Sequence, residues 1–404
     1  MSRHYRNWFV AIVASIAVIT AGWALSEWIF DPAAPGAFYD TPSDVDTARP
    51  GTVMRSEPVA DARVSGAQVS RLLYASTGLD GAPIAVSGAV IVPDRRSQRD
   101  APVVAWAHGT TGIDPRCAPS LEARSGVGLI PQLDRFVRAG AIVVATDYPG
   151  LGAGTVHPYL VGVSEGRAIL DAVRAAQHFS GDGASAPAAI YGHSQGGHAT
   201  LFAAELAPTY APELDLVGVA AMAPPTDLAR LMVDDEGTAS GVVLTSMAIG
   251  SWSRVYPDTP ASAIVKGRFL PAVENLATRC IEDNAQSLGV APDVAILRNR
   301  YFSRNPVTDP AWKPHFAANT ARAALHGAPV LVAQGLADAI VRPAVTERYV
   351  DAQCRAGADV DFWTYANVGH FQVRSVASPA VATWILDRIA GKPRPAGCSR
   401  TARS

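Results

Sequence analysis

Hydrophobic residues along the chain fall into short runs that alternate with helix-compatible stretches. The apolar runs at residues 102–107 and 141–146 have the length and the composition of buried strands. Segments with a helical spacing of apolar residues, such as 132–139 and 197–206, lie between or after such runs. This regular succession predicts an α/β fold with a mostly parallel sheet flanked by helices.

Eight strands are predicted in this way, and the first two of them form a hairpin. The predicted strands are residues 71–76, 84–92, 102–107, 141–146, 187–191, 217–222, 329–333 and 360–366. Helices predicted at residues 343–355 and 379–390 complete the pattern after the seventh and eighth strands.

The alternation is interrupted by a long segment of mixed pattern, residues 225–326, which follows the sixth predicted strand. An insertion at this point emerges above the carboxyl ends of the sheet, where a lid or a binding surface is commonly carried. The segment is therefore predicted to form a helical cap over the active site. A structural subdomain without a role in binding is the alternative.

The amino terminus has the pattern of an export signal. Arg3, His4 and Arg6 form a positively charged start, and the apolar run 8–25 follows them. The run is long for a signal peptide and short for a relaxed membrane span. The protein is therefore predicted to be secreted, or to stay anchored to the outer face of the cytoplasmic membrane by this segment.

These patterns together predict five parts along the chain. They are a signal peptide or signal anchor at 1–25, a linker or N-terminal arm at 26–50, the first part of the core at 51–224, the cap at 225–326, and the second part of the core with the tail at 327–404.

Composition narrows the functional class. The 404 residues carry a formal net charge of −2 and no block of like charges, so no nucleic-acid partner is expected. The apolar share of 49% is sufficient for a large core.

The four cysteines are Cys117, Cys280, Cys354 and Cys398, and none has the spacing of a zinc site. An even number in an exported protein predicts two disulfides, although three pairings are open. Four buried thiols are the alternative, and no metal or other cofactor is expected.

The most informative motif is Gly-His-Ser-Gln-Gly at residues 192–196, between a strand-like run and a helix-like run. In that context G-x-S-x-G predicts a nucleophile elbow, which presents the serine at the top of the sheet. Ser194 is then the nucleophile, and the backbone amide of Gln195 is a donor to the oxyanion. A glycine-rich turn without catalytic function is the alternative.

A serine nucleophile needs a base and an acid, which follow it along the chain in this architecture. Asp338 lies just past the seventh predicted strand and His370 just past the eighth, so they are predicted to complete a triad with Ser194. Asp227 is the second choice for the acid. Asp147 is expected to be a structural cap, and the other histidines fall in unsuitable segments.

The second oxyanion donor is expected in the loop after the third predicted strand, residues 108–112. Thr110 or Thr111 is the predicted donor, because glycines on both sides expose backbone N–H groups. His108 is expected to form structural hydrogen bonds, without acting as acid or base.

Several stretches in order resemble the secretory lipase family of fungi and actinobacteria. They are residues 107–112 with 117–119, 146–152, 157–161, 191–197, 334–338 and 369–370. The resemblance covers about residues 55–400 and implies an α/β-hydrolase core with a helical cap, a Ser194–Asp338–His370 triad and metal-free hydrolysis. It also implies disulfides Cys117–Cys280 and Cys354–Cys398. Fungal members carry an acidic residue where this chain has His-Gly-Thr-Thr.

The sequence therefore predicts an exported serine lipase or carboxylesterase that hydrolyses acylglycerols or related esters through an acyl-enzyme on Ser194. The acyl chain is expected to lie in an apolar tunnel under the cap, and a lipid–water interface is a candidate site of action. An acyltransferase with the same triad is the first alternative. A non-catalytic binding protein with a hydrolase fold is the second.

Overall fold

The computed structural model describes residues 33–94, 101–122, 126–154, 156–180, 186–281, 290–298, 301–321 and 327–403. The predicted signal segment therefore lies outside the described residues. The statements below concern the described ranges.

A single twisted sheet organises the core. Its strands are β1 (Val53–Pro58), β2 (Ala67–Thr77), β3 (Pro83–Pro93), β4 (Val103–Ala107), β5 (Ile142–Thr146), β6 (Ala188–His193), β7 (Leu216–Met222), β8 (Val330–Gly335), β9 (Val360–Tyr365) and β10 (Ser399–Arg403). Their order across the sheet is β1-β2-β3-β5-β4-β6-β7-β8-β9-β10. Strands β4 to β10 are parallel to one another. Antiparallel pairing joins β1 to β2, β2 to β3, and β3 to β5.

Helices cover both faces of the sheet. They are α1 (Leu133–Arg138), α2 (Gly162–Gln177), α3 (Gln195–Tyr210), α4 (Leu228–Asp234), α5 (Ala239–Val255), α6 (Leu270–Ala277), α7 (Ala291–Leu297), α8 (Lys313–Ala318), α9 (Pro343–Arg355) and α10 (His370–Ile389). Alternate residues of β4 face opposite sides: Val103 packs in the cluster with α2 and α3, whereas Val104 packs with α1 and α10. The predicted α/β-hydrolase architecture is confirmed.

The site region follows from the strand order. Strand β4 lies between β5 and β6 in the sheet. The chain leaves β4 toward α1 on one face of the sheet and leaves β6 toward α3 on the other face. The loops after β4 and β6 therefore diverge at the carboxyl ends of these strands. A crevice at such a switch point is the usual ligand site of open α/β sheets.

Two edge strands were not predicted. Strand β1 precedes the predicted hairpin and β10 extends the sheet beyond β9. Their side chains are intermediate or exposed, so neither strand has the apolar run that marks a buried strand. Because of β1, the insertion follows the seventh strand, β7, and the predicted count of six was one too low.

The helix after β9 begins nine residues earlier than predicted. The predicted helix starts at Pro379, yet α10 runs from His370 through Pro379. Proline leaves the carbonyl of Ser375 without its helical N–H donor. The hydroxyl of Ser378 faces that carbonyl at 3.4 Å. The completely buried stripe of Val373 and Ala377 continues across the proline.

The insertion after β7 contains α4 to α8 and has its own hydrophobic cluster, with Met247, Trp252 and Trp312 at its centre. The described part of the predicted arm, residues 33–50, lies against the core, since Tyr39 and Val45 are buried. Cys117 is bonded to Cys280, and Cys354 is bonded to Cys398.

Candidate active site

The turn that carries Ser194 is tightly packed. Ser194 has φ 57° and ψ −120°, a strained conformation for a residue with a side chain. A Cβ on Gly192 would lie 2.3 Å from the carbonyl oxygen of Gly196, and one on Gly196 would lie 1.9 Å from that of Ala107. Both glycines are therefore needed for α3 to approach β4 and β6 this closely.

The structure brings together Ser194, His370 and Asp338, which follow the carboxyl ends of β6, β9 and β8. His370 Nε2 lies 2.8 Å from Ser194 Oγ, and His370 Nδ1 lies 2.8 Å from Asp338 Oδ2. His370 and Asp338 are buried. This chain of hydrogen bonds can remove the proton of a serine hydroxyl.

The Asp338 carboxylate is held by the loop that it begins. Its Oδ1 accepts hydrogen bonds from the backbone N–H groups of Ile340 at 2.9 Å and Val341 at 2.8 Å. Its Oδ2 accepts a third from Gln334 Nε2 at 3.2 Å. Asp338 therefore has one orientation available toward His370.

His193, one of the histidines set aside in the sequence analysis, contacts His370. Its Nε2 donates to the backbone carbonyl of His370 at 2.8 Å. Burial lowers the pKa of His193 well below its usual range, so the ring is neutral and this nitrogen carries its single proton. His193 thereby positions the backbone of His370. A histidine inside the elbow motif was the available signal.

Two backbone segments meet beside Ser194. Gln195 is the first residue of α3, so its N–H points out of the helix N-terminus. The loop after β4 passes on the other side, where a Cβ on Gly109 would lie 3.6 Å from Ser194 Cβ. The Thr110 hydroxyl is 2.8 Å from the hydroxyl of Tyr159, and Tyr159 lines the same cavity as Ser194.

Thr111 and His108, the neighbours in this loop, have other surroundings. The carbonyl of Thr111 accepts a hydrogen bond from the backbone N–H of Ile281, in the insertion, at 2.9 Å. His108 is buried, and its Nδ1 donates to the carbonyl of Gly109 at 2.7 Å. Burial lowers the pKa of His108 to about 4, so its ring is neutral at pH 7.

The side chain of Gln195 is fixed by two buried residues that the sequence analysis missed. Gln195 Nε2 donates to Glu165 Oε1 at 2.7 Å and lies 2.9 Å from His157 Nε2. Since His157 Nδ1 donates to the carbonyl of Pro149 at 2.8 Å, its neutral ring accepts at Nε2. A lone glutamate among the buried positions of α2 was the only sequence signal for Glu165.

Glu165 also links the elbow helix to the insertion. Its Oε2 lies 3.1 Å from His198 Nδ1, and both side chains are completely buried. His198 Nε2 donates to the backbone carbonyl of Asn319 at 2.9 Å. This pair therefore connects α2, α3 and the end of the insertion.

A largely apolar cavity extends from Ser194 into the insertion, with an empty volume of about 630 Å³ that includes its opening to solvent. Leu228 and Leu231 of α4, Leu244 and Trp252 of α5, and Phe316 of α8 contribute its apolar wall. Asp235 is the one acidic residue among those that line it.

Asp227, the second choice for the acid, makes its hydrogen bonds elsewhere. Asp227 caps α4, and its Oδ1 accepts from the backbone N–H of Arg230 at 3.0 Å. Asp147 is buried in a structural network with Ser87 and Ser120, as expected for a capping residue.

Neither a metal centre nor a membrane-crossing helix was found in the part of the chain that the structure describes. Among the described residues, no three or more histidine, cysteine or acidic side chains are grouped so that they could hold a metal ion. No helix there is long and apolar enough to cross a membrane.

Comparison with known families identifies the chain. The family model described as secretory lipase matches residues 130–397. The chain belongs to the secretory lipase family. The match spans the elbow, the insertion and the loops that carry Asp338 and His370, so it covers the whole candidate site except the loop after β4.

Among the relatives of this secretory lipase, some are named as lipases and one is named as inactive. The chain is 28% identical to the secreted triacylglycerol lipase LIP7 of Malassezia globosa, over 88% of this chain and 79% of that protein. It is 26% identical to a protein of Mycobacterium tuberculosis named "probable inactive lipase", over 88% of this chain and 82% of that protein.

Solved structures show the same fold. Lipase A of Candida antarctica superposes with a TM-score of 0.77 at 21% identity, over 91% of this chain and 89% of that one. A rice cell wall degrading esterase of Xanthomonas oryzae gives a TM-score of 0.67 at 21% identity, over 86% of this chain and all of that one, 100%.

Proposed function

We propose that this secretory lipase is an exported carboxylic ester hydrolase that acts on acylglycerols or related lipid esters. The observation that carries the proposal is the hydrogen-bonded chain from Asp338 through His370 to Ser194, with both links at 2.8 Å. In acylation, Ser194 Oγ attacks the ester carbonyl carbon while His370 Nε2 takes the hydroxyl proton. Asp338 keeps the remaining proton of His370 on Nδ1.

The tetrahedral intermediate then collapses, and the alcohol leaves with the proton from His370. Water, deprotonated by His370, attacks the acyl-enzyme in the second half, and the carboxylic acid is released from Ser194. The negative oxygen of each intermediate is proposed to bind the backbone N–H groups of Gln195 and Thr110. Thr110 is preferred to Thr111 because its hydroxyl faces Tyr159 at the cavity, whereas Thr111 is bonded to the insertion.

The acyl chain is proposed to lie in the apolar cavity under the insertion. The leucine and aromatic side chains of α4, α5 and α8 give the acyl chain an apolar environment, as a lipid phase does. In this proposal residues 225–326 act as a cap, and residues 51–224 and 327–404 form the catalytic core. Secreted relatives and two disulfides support export.

The proposal is tested with a fluorophosphonate probe and a series of p-nitrophenyl esters from C2 to C16. Labelling at Ser194, loss of labelling in Ser194→Ala and a rate optimum beyond short chains would support a lipid esterase. A sharp optimum at C2 would refute the lipid substrate and leave a small-ester hydrolase. An unlabelled Ser194 would favour the non-catalytic alternative, for which the inactive relative is the precedent.

Two further experiments test the reaction type and the fate of the amino terminus. Product analysis with an added alcohol distinguishes hydrolysis from acyl transfer, because a transferase yields a new ester in place of the free acid. Sequencing of the mature amino terminus shows whether residues 1–25 are removed, and an intact terminus in the membrane fraction would establish the anchored form.

A further inference from the structure

One carboxylate interrupts the apolar wall of the cavity that opens at Ser194. Asp235 follows α4 and is only 5% exposed. Its Oδ1 has no hydrogen-bond partner among the described residues. The guanidinium of Arg342 is near, with Nε at 3.6 Å from Oδ1, which is an ion-pair distance but not a hydrogen bond.

A buried acceptor of this kind penalises a purely aliphatic ligand. Asp235 Oδ1 is itself closed to solvent, so a ligand meets the part of the side chain that lines the cavity. An alkyl chain packed against this part leaves a charged acceptor without a donor, which is among the costly events in binding. A ligand with a hydroxyl at the same place supplies the hydrogen bond and keeps the rest of the apolar contact.

The guanidinium of Arg342 favours a neutral donor over a cationic one, because it already places a positive charge beside Asp235. Burial, Asp234 and Asp338 raise the pKa of the Asp235 carboxyl, whereas Arg342 and His370 lower it. An ammonium group would add a like charge next to Arg342 and to the imidazolium that forms during catalysis. A hydroxyl adds none.

We propose that Asp235 is a specificity-determining residue that accepts a hydrogen bond from a hydroxyl group on the substrate portion held in the cap cavity. This inference rests on the proposed function for the identity of that substrate as an ester. The hydroxyl can belong to the acyl chain or to the alcohol, for example a glycerol carbon. The chemistry recognised at Asp235 is the same in both cases.

The test measures binding without turnover, so that it does not depend on catalysis. In the Ser194→Ala background, dissociation constants are measured for methyl dodecanoate, its monohydroxylated positional isomers, an amino analogue, and dodecanoyl esters of propanol and of glycerol. At least one hydroxylated ester is expected to bind about tenfold more tightly than its plain counterpart. A preference among acyl isomers assigns the acyl source, and a preference only for the glycerol ester assigns the alcohol source.

Variants establish that Asp235 causes the preference. Asp235→Leu should abolish it, mainly by tighter binding of the plain ester together with weaker binding of the hydroxylated one. Asp234→Leu is the matched control, since the neighbouring Asp234 pairs with Arg230 and does not line the cavity. Thermal unfolding of each variant confirms that it is folded.

Three results would overturn the inference. The first is an equal affinity for hydroxylated and plain esters, and the second is a preference that persists in Asp235→Leu. The third is an Asp235→Leu protein that binds all esters more weakly by the same factor, as a purely structural role would predict. Stronger binding of the amino analogue would also refute the hydroxyl. Probe labelling of Ser194 in the parent protein reports separately on the proposed function.

Discussion

Replacing Asp338 by asparagine alters one atom at the end of the hydrogen-bond chain and leaves the side-chain volume nearly unchanged. In the parent protein Oδ1 accepts from two backbone N–H groups, at 2.9 Å and 2.8 Å. An amide NH₂ cannot occupy that place, because it would face two donors. The asparagine oxygen must therefore stay there, and the amide nitrogen must face His370.

That orientation forces the wrong tautomer on His370. The amide nitrogen donates to Nδ1, so the proton of the neutral ring moves to Nε2, the atom that lies 2.8 Å from Ser194 Oγ. A protonated Nε2 cannot accept the serine proton. A wrong tautomer of this kind lowers kcat by about 10⁴-fold, or roughly 5 kcal/mol of activation free energy.

The assay is steady-state hydrolysis of a p-nitrophenyl ester, with kcat and KM determined separately for Asp338→Asn. We expect the loss in kcat with KM close to that of the parent, and a drop in stability of about 1 kcal/mol, because the amide nitrogen loses the hydrogen bond from Gln334 Nε2. Asp227→Asn is the matched control, because Asp227 caps a helix away from His370, and it should retain nearly full activity. Asp338→Asn within tenfold of the parent, or an equally inactive Asp227→Asn, would refute the reasoning.

Three further changes test the elbow, the disulfide and a buried acid. Gly196→Ala should lower kcat at least a hundredfold, because the added Cβ would lie 1.9 Å from a backbone oxygen of β4. Gly128→Ala is the control: its Cβ would have no atom within 4 Å, so kcat should stay unchanged in the same assay. Replacing Cys117 and Cys280 by alanine should lower the free energy of unfolding by about 5 kcal/mol in the chain-entropy model, since the bond spans 163 residues. Removing the second disulfide, which spans 44 residues, should cost less, about 4 kcal/mol, and denaturant unfolding that reverses this order would contradict the model. Burial raises the pKa of Asp147 from 3.8 to about 6, so the folded state binds this proton more tightly and is destabilised as pH rises through that interval. The parent should therefore lose roughly 3 kcal/mol of stability relative to Asp147→Asn between about pH 4 and pH 7, and parallel stability curves would show that Asp147 does not titrate there.

The parts of the molecule that follow from local pattern were open to prediction. Buried parallel strands are apolar on both faces, so β4, β5 and β6 stand out in the sequence. Ser194, Asp338 and His370 could be assigned because each follows such a strand in the chain order of this architecture. Their predicted grouping depended on strand order alone and needed no knowledge of side-chain contacts.

The remaining parts depend on contacts between distant segments. Strands β1 and β10 are edge strands whose exposed side chains give no apolar signal. The hydrogen bond from Gln195 to Glu165 forms only after α2 and α3 have packed together. The start of α10 was missed, although a buried apolar stripe runs through Pro379, a residue that usually interrupts a helix.

The bond between Cys117 and Cys280 restricts how the catalytic serine can be uncovered. It joins the segment just after the β4 loop to the insertion, and the N–H of Ile281 is bonded to Thr111 in that same loop. A large swing at this margin would pull the proposed oxyanion donor away from Ser194. The margin near Arg342, where its guanidinium donates to the carbonyl of Asp234 at 2.6 Å, has a contact that can break and re-form. Opening of the proposed cap would therefore have to pivot at the disulfide.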